Sequence, residues 1–70
     1  MANANDKLNM SLSIADIAVI IDALDRAEGN TGEGSVDDAM MALQARLAKE
    51  ADLDPYMDIE DVAALVEETE

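Results

Sequence analysis

A chain of seventy residues has room for one small domain, and at that length a self-sufficient hydrophobic core is marginal. Seventeen Asp and Glu residues against four Lys and Arg give a formal charge of −13, so the field of the molecule repels nucleic acid and disfavours direct phosphate binding. With no Cys and no His, disulfides, thiolate metal sites and histidine-based catalysis are excluded, and Tyr56 is the sole aromatic residue.

Residues 1–10, MANANDKLNM, are polar and lack a sustained period, which predicts a flexible arm. They hold no apolar core of a secretory signal, and no stretch of the chain approaches the ~20 apolar residues of a membrane span. The expected location is the cytoplasm, without membrane contact. Residues 11–70 are expected to form a single small helical domain.

The strongest element is the first helix, within residues 12–28, LSIADIAVIIDALDRAE. Ser13 stands before the periodic apolar run as an N-cap, and Asp16 places negative charge at the positive end of the helix dipole. Leu12 and Ile17 have the spacing of a hydrophobic staple. At about 100° per residue, Ile14, Ile17, Ile20, Ile21 and Leu24 share one sector and form the expected core face. Asp22 and Arg26 are spaced for an i, i+4 ion pair, and Gly29 can take the positive φ that ends a helix. Ala15, Val19 and Ala23 form a second, weaker stripe. A partner could cover that stripe, although isolated apolar residues are ordinary on a protein surface.

The segment 29–34, GNTGEG, reads as a flexible connection. It is not a phosphate-binding loop, because it lacks the preceding strand and the Gly-Lys-Ser/Thr ending that such a loop requires. Ser35 is expected to cap a second helix with Asp37 and Asp38 in its first turn and Val36, Ala39, Met40, Leu43 and Leu47 on its inner face. Arg46 and Lys49 suit its negative end. Met41, Ala45 and Ala48 make a second stripe here too, and an outward methionine can mark an adaptable binding surface.

Asp54 and Pro55 are expected to break that helix, because proline disfavours helical geometry in the residue before it. Leu53, Tyr56 and Met57 should fold back as a hydrophobic corner. Asp58 then caps a third helix with Ile59, Val62, Ala63 and Val66 inward. Glu67, Glu68 and Glu70 crowd its negative end, which predicts fraying.

The acidic run Asp52, Asp54, Asp58, Glu60 and Asp61 invites comparison with a calcium loop. Counted from Asp52, however, Met57 stands where the loop needs glycine and Ala63 where it needs a bidentate glutamate. A capped turn with a solvated acidic face is the better reading. Ser11, Ser13, Ser35 and the threonines have no histidine to activate them. A carboxylate pair such as Asp22 and Asp25 would need a shaped, water-poor pocket to divide acid from base. No cofactor, metal or catalytic residue is therefore expected.

Leu12, Ser13, Ile14, Ala15, Asp16 and Ile17, followed by Ile21, Asp22 and Ala27, make this stretch resemble the opening of a family of small proteins from marine cyanophage genomes. That family starts a helix with L-[ST]-[IV]-A-D-[ILV] and carries a second amphipathic helix near the place of residues 36–47. After Arg26 the family tends to have an Arg-Gly-Ala-Phe segment, whereas this chain reads AEGNTGEG. The resemblance implies a setting, that of a small accessory protein of a marine virus or its host, and no particular chemistry.

The fold expected is all-α, a small bundle or open array of three helices with a flexible N-terminal arm. The function expected is a non-enzymatic protein–protein interaction module that forms a homodimer or docks on another protein through Ala15, Val19, Ala23, Met41, Ala45 and Ala48. The alternative is a nucleic-acid-associated regulator, either a helix-turn-helix-like domain or an acidic DNA mimic. Glu60 and Asp61, where a recognition helix would need basic or amide side chains, weigh against direct base reading.

Overall fold

The computed structural model describes residues 3–69. These form three helices and no strand: α1, Ile14–Ala27; α2, Gly34–Ala51; and α3, Ile59–Glu68. The expected all-α architecture is present. Both α2 and α3 pack on α1, and among the described residues they do not pack on each other, so the molecule is an open array with α1 at its centre.

Residues 3–13 form the N-terminal arm, exposed and without helix or strand. Its one ordered feature is a turn in which Asp6 donates its N–H to the Asn3 carbonyl and Asn3 donates to the Asp6 carboxylate, each at 3.0 Å. The arm thus runs beyond residue 10 to the start of α1. Its first two residues, and Glu70 at the other end, lie outside the described residues.

Helix α1 begins where its sequence says it should. Ser13 Oγ accepts the N–H of Asp16, and Asp16 Oδ2 accepts the N–H of Ser13, both at 3.0 Å. This capping box satisfies two donors that would otherwise lack partners. Asp22 and Arg26 pair at 3.0 Å, a contact worth only about 0.3–0.5 kcal/mol at an exposed helix surface. The helix ends at Ala27. Gly29 then takes φ +82, and the Asn30 side chain donates to the carbonyls of Arg26 and Glu28.

Helix α2 starts two residues earlier than its sequence suggests, at Gly34 in place of Val36, and its flanking residue Glu33 makes no side-chain cap. Ser35 lies inside the helix. Thr31 ties the loop to the first turn instead: its hydroxyl donates to Asp37 Oδ1 at 2.8 Å and accepts the Glu33 N–H at 3.1 Å. The far end closes before Asp54 and Pro55 are reached. Asp52 adopts a left-handed conformation at φ 55, its N–H reaches the Lys49 carbonyl, and the Leu53 N–H reaches the Ala48 carbonyl at 2.9 Å. This is a Schellman closure built on aspartate instead of glycine.

In the connection, Asp54 Oδ1 accepts the Tyr56 N–H at 2.8 Å across Pro55. Leu53 and Met57 are half-buried, but Tyr56 is exposed, so the expected hydrophobic corner forms without its ring. Helix α3 continues through Glu68, and the Thr69 hydroxyl closes it by donating to the Val66 carbonyl at 2.7 Å.

The core among the described residues is small: Ala15, Ala18, Ile21, Ala48 and Val62, with Gln44 as its buried polar member. Helix α1 supplies three of the five apolar residues. Two of those are alanines, which allow neighbouring helix axes to approach toward the short end of the usual 8–10 Å range. The consequence is a core face turned away from the bulkiest stripe. Of the expected inner residues of α1, Ile21 is buried, Ile17, Ile20 and Leu24 are half-buried, and Ile14 is exposed. The same displacement affects α2, where Val36 and Ala39 are exposed, and α3, where Ile59, Ala63 and Val66 are.

Candidate partner surface

Six residues were expected to form an outward docking stripe, and the fold divides them. Ala15 and Ala48 are only 7% and 3% exposed and belong to the core, so they are not available to a partner. The reason is steric: the small side chains that look bland in the sequence are the ones that let helices approach closely. Val19, at 46%, and Met41, at 52%, are exposed, as are Ala23 and Ala45.

Beyond these, the structure exposes large apolar side chains that the sequence had assigned inward or left in the arm. Leu8, Met10 and Leu12 stand out along the arm, and Ile14, Val36, Ile59 and Val66 stand out from the helices. With Val19, Met41 and Tyr56 they make ten exposed large hydrophobic residues, against five apolar residues in the core. Where such residues adjoin one another they form the kind of apolar patch that marks an interaction site. The apolar run of residues 17–21 signals only Val19 among them, since Ala18 and Ile21 are buried and Ile17 and Ile20 half-buried.

A second feature is an open hollow where the α2–α3 connection meets α3. It is lined by the carboxylates Asp54, Asp58 and Asp61 together with Met57, Ala64 and Leu65, and Tyr56 adds its exposed ring. Asp54 is already engaged by the Tyr56 N–H, which leaves Asp58 and Asp61 as its free acids among the described side-chain contacts. Among the described residues, no three acidic side chains converge closely enough to hold a metal ion.

No protein-family model, curated protein or solved structure matches this chain. No helix among the described residues is long and apolar enough to cross a membrane. Nor do α2 and α3 reproduce a helix-turn-helix: residues 52–58 separate them, longer than the three- or four-residue turn of that motif, and they do not pack together.

The Thr31 hydroxyl holds the Asp37 carboxyl below its ordinary pKa, helped by the backbone N–H groups of Thr31 and Gly29 and opposed by partial desolvation. Asp37 is thereby kept ionised in the first turn of α2, where it serves the helix start and the loop.

Proposed function

We propose that this chain is a non-enzymatic helical interaction module that associates with a second copy of itself, acting in the cytoplasm as a small accessory protein. The observation that carries the reading is the imbalance between the small core and the ten exposed large apolar residues. A chain of this size gains the burial its core lacks by oligomerising. The contact surface includes Val19 and Ala23 of α1 and Met41 and Ala45 of α2.

The test is molar mass in solution by light scattering after size exclusion, at low and high salt. A dimer is expected in both, with more of it at high salt, because screening relieves repulsion between two bodies of charge −13. Replacing Val19 and Met41 together by Glu should give a monomer with unchanged helical circular dichroism. Association that survives both changes would remove this surface from the reading.

A further inference from the structure

We propose that the hollow beside α3 receives residues 7–12 of a second copy of this chain, so that two molecules exchange their N-terminal arms. The proposal rests on the dimerising reading above and names a second contact within it.

Charge narrows which segment can enter. The hollow presents Asp58 and Asp61 beside Met57, Ala64 and Leu65, so its occupant must bring apolar side chains and no further negative charge. Residues 8–15 are the longest run in the chain without a charged side chain, and Lys7 stands immediately before them. Lys7 has no ion-pair partner among the described residues. Most other surface of a chain with charge −13 would meet these acids with its own.

Shape agrees with charge. Leu8, Met10 and Leu12 alternate along the arm, and in an extended chain such residues fall on one side. Leu8 is 81% exposed and Met10 70%, so neither has a place in its own molecule. None of residues 3–13 lines the hollow of its own chain. At about 3.3 Å per residue, residues 7–12 reach about 20 Å, enough to cross onto a neighbouring copy. In the exchanged arrangement Lys7 pairs with Asp58 and Asp61, while Leu8 and Met10 lie against Met57, Ala64 and Leu65.

Sedimentation equilibrium of the full chain tests this with three variants. Lys7→Glu should raise the dimer dissociation constant about tenfold, and Leu8→Asp with Met10→Asp should raise it at least as far. Combining Lys7→Glu with Asp58→Lys should recover most of the lost affinity, which a general loss of folding would not do. Lys7, Leu8 and Met10 are exposed and lie outside the helices, so the arm variants should leave helical circular dichroism unchanged. A dissociation constant unmoved by the arm variants, while the Val19→Glu, Met41→Glu chain is monomeric, would overturn the arm exchange and leave the dimer reading standing. A wild-type chain that stays monomeric at every concentration would overturn both. Arm variants that change thermal stability without changing the dissociation constant would place the arm on its own molecule and overturn the exchange.

Discussion

The side-chain amide of Gln44 donates to the backbone carbonyl of Pro55, joining the middle of α2 to the connection that leads into α3. Gln44 is buried, so this is the one polar link drawn into the core among the described residues, and it fixes a corner that α2 and α3 do not fix by touching each other. Gln44→Leu keeps the bulk and deletes the donor. It should lower the unfolding free energy by about 1–3 kcal/mol, the usual cost of stranding one partner of a shielded hydrogen bond. Urea denaturation would read the change, and an unaltered midpoint would show that water replaces the amide at Pro55.

The reciprocal bonds of Ser13 and Asp16 make a second prediction. Ser13→Ala should destabilise α1 by about 1 kcal/mol. Asp16→Ala should cost a comparable amount, since it removes the return bond and a favourable charge at the helix start. Because each residue serves the other, the double variant should cost less than the sum of the two. A fully additive result in thermal unfolding would mean that the two bonds act independently.

How these helices begin and end was partly legible in the chain. Ser13 with Asp16 three residues later marks the start of α1, and it is found there because the signal is local and complete. Ser35 carries the same kind of signal for α2, but Asp37 in that first turn is engaged by the Thr31 hydroxyl from across the loop, and the helix starts at Gly34 without a side-chain cap. The buried faces were less legible. Hydrophobic bulk favours Ile14, Ile17, Ile20 and Leu24 as the inward side of α1, whereas close helix packing selects Ala15 and Ala18. Periodicity measures greasiness around a helix and says nothing of how near a neighbour can come. For the same reason the fold divides the two outward stripes: Val19, Ala23, Met41 and Ala45 face water, and Ala15 and Ala48 do not.

Asp52 supplies a stabilising substitution. At φ 55 it occupies a region that costs a side-chain-bearing residue roughly 1–2 kcal/mol and glycine nothing. Aspartate tolerates this conformation better than most residues, so Asp52→Gly should raise stability by about 0.5–1 kcal/mol. Asp52→Val should lower it. A melting temperature that falls for the glycine variant would show that the Asp52 carboxylate makes a contribution larger than the strain.

The depressed pKa of Asp37 fixes the sign of one pH effect. Its folded pKa lies below its unfolded value, so between the two the unfolded chain holds more protons than the folded one and stability rises with pH. The contribution is complete above the unfolded value, near 3.9 for an ordinary aspartate, and is lost as pH falls through the folded one. Thr31→Val removes the principal hydrogen bond and should flatten this part of the profile. Comparing the two chains by denaturant unfolding between about pH 2 and pH 5 isolates the effect from the general relief of repulsion that acid brings to every carboxylate. Parallel profiles would show that Thr31 does not hold Asp37 in solution.

The dependence of α2 and α3 on α1 alone has a consequence for how the molecule opens. Helix α3 contacts α1 alone, so it is free to detach while the α1–α2 pair stays closed, uncovering Val62, the half-buried Leu65 and the part of α1 that it covers. Its amides are therefore expected to exchange with solvent through a partial opening of low free energy, well below the global value that protects the centre of α1. A lesion in α1 weakens two helix pairs together, whereas a lesion in α3 is felt by one. The expected order of opening follows from the contacts, with α3 leaving first and α1 last.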